Sequence, residues 1–298
     1  MLEARVGSLQ SAALDELQWP VSGPGTMVLA AAIKGCSMSV LVFSNQKGGV
    51  GKSTLAVLFA HWLADKRGAS VCVVDLDSQC NCSKSLARFS AAGEATSLFA
   101  AEPVLPSPPV ASSIALLKGS KRLADLELAR ADAVIPLFRR HVSTLATAFD
   151  FVVIDTPPAL GLRMSAALIA ADAVVCPIEL EEYSIDGVTD MLKTIFGVQK
   201  RYNPRLRLAG IVANRFNPHS VRQKAALHDL VANYSEFVLP AKISTRSAIP
   251  EALAAGVPVW QLAKSSARDA SEEVFQVFRL IAQRVCVGAA DAVEEGAA

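Results

Sequence analysis

"FSNQKGGVGKST", residues 43–54, follows the apolar run "SVLV" and leads into an apolar helical stripe. Its glycines, Gly48, Gly49 and Gly51, let the backbone bend until successive N–H groups point inward, a concavity that suits anions. Lys52 can reach the β- and γ-phosphates of a nucleotide, and the Ser53 hydroxyl can ligate Mg²⁺. A loop that passes from a buried strand into a helix N-terminus adds the attraction of the helix dipole. The expected nucleotide contacts are therefore Gly48, Gly49, Val50, Gly51, Lys52, Ser53 and Thr54. The loop is a variant of the G-x-x-x-x-G-K-[ST] form. It reads K-G-G-V-G-K-S, with a second lysine, Lys47, at its lip.

Outward from this loop, "SVLVFS" (39–44), "SVCVVD" (70–75), "FVVID" (151–155), "AVVCPI" (173–178) and "LAGIVAN" (208–214) are apolar without alternation. Strands buried on both faces of a parallel sheet read this way. Helical stripes lie between them: Leu55, Leu58, Phe59, Trp62 and Leu63 after the loop, and Ala270, Val274, Val277, Phe278, Ile281 and Val285 near the end. Arg268, Glu272, Arg279 and Gln283 fall on the opposite face of that last helix. Alternating strand and helix predicts an α/β fold with a doubly wound, mostly parallel sheet and helices on both faces. Residues 1–37 read as an N-terminal appendage or a misassigned translation start, 38–287 as one domain, and 288–298 as a disordered tail. The Pro- and Ser-rich stretch 101–120 reads as an excursion between sheet elements.

With 298 residues, 52% hydrophobic and 19% charged, the chain can bury a large core. A net charge of +1, from 29 basic and 28 acidic side chains, excludes a globally basic, histone-like protein but allows a local basic patch. The six cysteines show neither a disulfide framework nor zinc spacing. No run approaches the roughly 18 apolar residues of a membrane span, and the acidic N-terminus is wrong for a signal peptide, so the cytoplasm is expected.

Three strand ends carry further chemistry. "VVDLDSQCN" places Asp75 and Asp77 where ligands of open α/β sheets bind, and on an extended chain the two would share one side. "FVVIDTPP" ends a buried strand in Asp155, the form of an aspartate that holds Mg²⁺ opposite the loop serine. "IVANRFNP" ends in Asn214 and Arg215, and the Asn214 amide can both donate to and accept from a purine edge.

Lys47 before the loop, "DLDSQCN" and "VIDTPP" together resemble the deviant Walker A ATPases, in particular the ParA branch that partitions plasmids and chromosomes. The similarity extends over about residues 38–285 and includes "LEEYSIDGVTDML" and "IPEALAAGVPV". Ser78 replaces a proline of the family's D-x-D-P-Q-x-N pattern, which loosens that turn.

The resemblance implies a P-loop NTPase that binds ATP and Mg²⁺, dimerises with ATP and hydrolyses it. It implies that Lys47 reaches across a dimer to the partner's phosphates, and that Asp77 orients the attacking water. It also implies non-specific binding to nucleoid DNA and a ParB-like adaptor that stimulates hydrolysis. Arg222, Lys224, Arg246, Lys264 and Arg268 are the candidate DNA contacts. Alternatives are a positioner of protein cargo, a MinD-like membrane-associated positioner, and a cofactor-forming enzyme on a related loop. The terminal "VEEGAA" is too acidic for a stable membrane anchor.

Overall fold

The computed structural model describes residues 39–89, 91–107, 113–180 and 184–294, except the side chains of 184–186 and 286–294. The appendage expected over 1–37 lies outside these residues. Eight strands form one sheet in the order β3-β4-β2-β5-β1-β6-β7-β8, and every pairing is parallel. They are β1 (Val40–Phe43), β2 (Val71–Asp75), β3 (Ala91–Glu94), β4 (Ile114–Lys118), β5 (Phe151–Asp155), β6 (Ala173–Glu179), β7 (Arg207–Phe216) and β8 (Val238–Ser244).

The unbroken apolar runs have a simple cause. Successive side chains of a strand point to opposite faces, and here each face carries its own core. Leu41, Phe43, Val71, Val73 and Val153 enter one, while Val40, Val42, Cys72, Val74, Val152 and Ile154 enter the other. The first core is closed by α1 (Lys52–Arg67), α7 (Ala248–Ala254) and α8 (Ser265–Glu294). The second is closed by α3 (Ala131–Ala148), α4 (Leu162–Ala170), α5 (Ser184–Arg201) and α6 (Val221–Tyr234). A short helix, α2 (Asn81–Ser85), follows β2.

The terminal stripe is buried as its periodicity predicts, and Arg268, Glu272, Arg279 and Gln283 are exposed. The stripe after the phosphate loop understates its helix. In α1 every residue from Leu55 to Ala64 is buried, on all sides. Phe59 meets Phe278 edge-on at 5.0 Å and Phe43 of β1 at 5.8 Å, so α1 and α8 pack side by side on the same face of the sheet.

Three strands were not expected from the sequence. Residues 114–118, inside the expected excursion, form β4 and pair with β2 from Val71↔Ile114 to Val74↔Leu117. β3 ("AAGE") and β8 ("VLPAKIS") sit at the edges, where a strand needs no long apolar run. The tail expected to be frayed from 288 is helical in backbone to Glu294, as a continuation of α8. Among the described residues, no helix is long and apolar enough to cross a membrane.

Candidate functional site: a phosphate loop facing two buried carboxylates

β1 lies between β5 and β6, where the order of strands reverses. In open α/β sheets that switch point is the ligand crevice. Phe43 of β1 is level with Asp155 of β5, and Asp155 is level with Asp75 of β2. The loop leaving β1 therefore rises directly beside two carboxylates. Asn45 sets its first bend, donating its side-chain N–H to Pro177 O (2.8 Å) and accepting from Lys47 N (2.9 Å). Gly51 caps α1 with φ 95°, a left-handed value that costs glycine little. A β-carbon there would also lie 2.1 Å from the Asn214 amide nitrogen, so the position has room for glycine alone.

Lys52 is buried, and its ammonium donates to Lys47 O at 2.9 Å. Burial pushes its pKa down, against the opposing pull of Asp155 and Asp77. Ser53 and Thr54 are half-buried at the start of α1, and Gly48 and Gly49 are exposed while Val50 is buried. Lys47 is exposed at the rim.

Asp155 is fully buried, and neither of its carboxylate oxygens has a hydrogen-bond partner of good geometry. Burial raises its pKa well above the carboxylate range, and the neighbouring Asp75 raises it further. Ser53 and Lys52 only partly offset this. Buried anions of this kind are costly unless a cation meets them. The orphaned oxygens, beside a serine hydroxyl at a helix start, fit a hard divalent ion such as Mg²⁺.

Asp75 plays another part. Its carboxylate accepts from Asp77 N (3.0 Å), Ser83 N (2.8 Å) and Ser83 Oγ (2.6 Å), so it organises the turn. Burial raises its pKa while the Ser83 bonds hold it back. The two aspartates are therefore not an equivalent pair on one extended side. β2 ends at Asp75, and Asp77 begins a turn closed by Cys80 N to Asp77 O at 2.9 Å.

Two further candidates have partners within the fold. The Asn214 amide, read as a purine contact, donates to Val50 O at 2.8 Å and props the loop from below. A base contact through that N–H requires this bond to break. Arg215, next to it, adopts φ 55° and donates to Gly49 O at 3.2 Å, a loop contact that only the folded strand ends reveal. Arg246, expected on DNA, is bound to Glu273 (2.7 Å) and Asp269 (3.1 Å), and Glu273 also accepts from Ser244 N and Oγ. Its charge joins β8 to α8. Of the other expected DNA contacts, Arg222 and Lys224 are both exposed on α6, and Arg268 is exposed on α8. Lys264 is exposed beside α8 and pairs with Glu251.

A family model described as an AAA domain matches residues 38–208. Protein IncC of Escherichia coli is 40% identical over 247 residues, covering 80% of this chain and 67% of that protein. The chromosome-partitioning ATPase Soj of Thermus thermophilus is 32% identical over 228 residues, 76% of this chain and 89% of that one. The chain is a ParA-family ATPase. Two solved structures share the ParA-type scaffold. Apo McdA from Cyanothece superposes with a TM-score of 0.69 at 21% identity, over 80% of this chain and 98% of that one, which speaks to the fold. A cobyrinic acid a,c-diamide synthase from Mycobacterium smegmatis, solved with an ATP analog and magnesium, superposes at 0.62 with 27% identity, over 83% and 93%.

Proposed function

We propose that this ParA-family ATPase is a Mg-ATP-dependent dimerising switch. It binds DNA non-specifically in its ATP state and segregates a plasmid or chromosome with a ParB-like adaptor. The observation that carries the nucleotide part is Asp155, buried with orphaned carboxylate oxygens one strand away from the phosphate loop. Backbone N–H groups of 48–54 cradle the phosphates, and Lys52 neutralises them from within the same subunit. Ser53 and Asp155 would hold a Mg²⁺ ion, which when bound would neutralise charge on the phosphate oxygens. Asp77, at the mouth of the same crevice and 8% exposed, orients the attacking water.

Lys47 is given a role in trans. Its exposure at the rim, while Lys52 is folded inward, supports the reading that the two lysines serve different subunits. A charge delivered in trans accelerates phosphoryl transfer by roughly 10³–10⁵ in other nucleotide hydrolases. Lys52→Ala is expected to lose nucleotide binding. Lys47→Ala is expected to bind ATP within about tenfold of the parent, since the cradle remains, and to lose hydrolysis. Asp77→Ala is expected to bind and dimerise without turnover, and so to accumulate on DNA. The decisive measurement mixes Lys47→Ala with Asp77→Ala. In a mixed dimer the Lys47→Ala subunit keeps its own Asp77 and receives Lys47 from the other, so ATPase activity returns. A mixture that stays inactive while mixed dimers form removes the trans assignment.

A further inference from the structure

Arg163 opens α4 eight residues after Asp155, and it is 7% exposed. A buried guanidinium is kept only where its donors are met. Its Nε donates to Glu127 Oε1 at 2.8 Å, and its Nη1 donates to Leu76 O at 2.9 Å. Glu127 comes from the 3₁₀ segment Lys121–Leu128, and its Oε2 accepts from Leu162 N at 2.6 Å, capping α4. A β-carbon at residue 161 would lie 2.2 Å from that oxygen, so Gly161 leaves the space the carboxylate occupies. Leu76 is held at its other end too, because its N–H donates to Asp155 O at 2.9 Å.

The residue directly before Asp77 is thus fixed between the strand that carries Asp155 and the start of α4. Asp75 holds the turn from inside through Asp77 N. Arg163 ties the outer carbonyl of this turn to α4. Its planar fork is needed, because a single ammonium cannot meet both Glu127 and Leu76 O in fixed directions.

We propose that Arg163 is a positioning residue for ATP hydrolysis. It clamps the 76–77 segment to the start of α4, with Glu127 as its anchor, and so fixes where the Asp77 carboxylate sits. The assignment rests on the reading of Asp77 as the water-orienting group. The hydrogen bonds of Arg163 run to Glu127 and Leu76, away from Lys52 and the cradle, so nucleotide binding is separable from it.

The test is a double-mutant cycle between Arg163→Met and Asp77→Ala, read by single-turnover hydrolysis of radiolabelled ATP and by equilibrium ATP titration. Arg163→Met is expected to keep ATP affinity within about threefold and to slow hydrolysis about 10- to 100-fold, the scale of a small misplacement. Arg163→Lys, which keeps the charge without the fork, is expected to fall between. On the Asp77→Ala background Arg163→Met is expected to leave the slow residual single-turnover rate unchanged, because the group it positions is gone. Should Arg163→Met fold poorly, Arg163→Lys and Glu127→Gln leave the core filled and enter the same cycle. An unchanged hydrolysis rate overturns the proposal. So does a loss that appears equally in ATP affinity, or one that persists in full on the Asp77→Ala background. If Asp77→Ala alone hydrolyses ATP at the parental rate, the reading of Asp77 fails first and this assignment falls with it.

Discussion

At the scale of the residue, Asp155 shows what the sequence discloses and what it hides. Four apolar residues before an aspartate mark a buried strand end, so its depth was legible. Its neighbours were not, because Asp75 comes level with it only through strand pairing. The same holds for Asn214, which meets Val50 across 164 positions of sequence. The raised pKa of Asp155 makes a prediction with a definite sign. Its folded pKa lies above its unfolded one, so metal-free protein has the full benefit of a neutral carboxyl only below the unfolded value. It loses that benefit as pH rises through the folded value. Asp155→Asn removes the charge at every pH. In chelator the variant is expected to melt above the parent at pH 8, with the difference shrinking toward acid. It is also expected to lose any further stabilisation by magnesium with nucleotide. Melting curves across pH, with and without magnesium, decide it; a difference that grows on acidification contradicts the assignment.

Among the elements, those with long apolar runs announced themselves and the edges did not. β1, β2, β5, β6 and β7 are interior strands, buried on two faces, and the run itself is the signal. β3 and β8 are edges, and β4 pairs with the edge strand and follows a stretch rich in proline and serine. The turn after β2 is a finer case. Asp77 to Cys80 closes it, which puts Ser78 at its second position, where proline is favoured. Ser78→Pro is expected to stabilise the protein by about 0.4–1 kcal/mol through the unfolded chain, raising Tm by roughly 1–4 °C. Scanning calorimetry measures this directly. A fall in Tm means that the native backbone at 78 does not accept the ring.

For the whole molecule, charge is where the sequence was least informative. A balanced total conceals which cations are already paired, and ion pairs such as Arg246 with Asp269 and Glu273 form only in the fold. Arg268 and Lys264 remain the better DNA candidates, since the exposed Lys264–Glu251 pair costs little to open. Lys264→Ala with Arg268→Ala is expected to weaken ATP-dependent DNA retention. It should also reduce the slope of log affinity against log salt by about one for each DNA phosphate that is no longer neutralised. Retention that is indifferent to salt and nucleotide rules out this surface. The unpartnered carboxylate of Asp155 has one more consequence, and it concerns how long a copy survives. A ligand that binds only the folded chain stabilises it by mass action, and here that ligand also relieves a buried charge. Copies that have released nucleotide and metal are the least stable in the population. Such copies are expected to open most often and to be cut first in limited proteolysis.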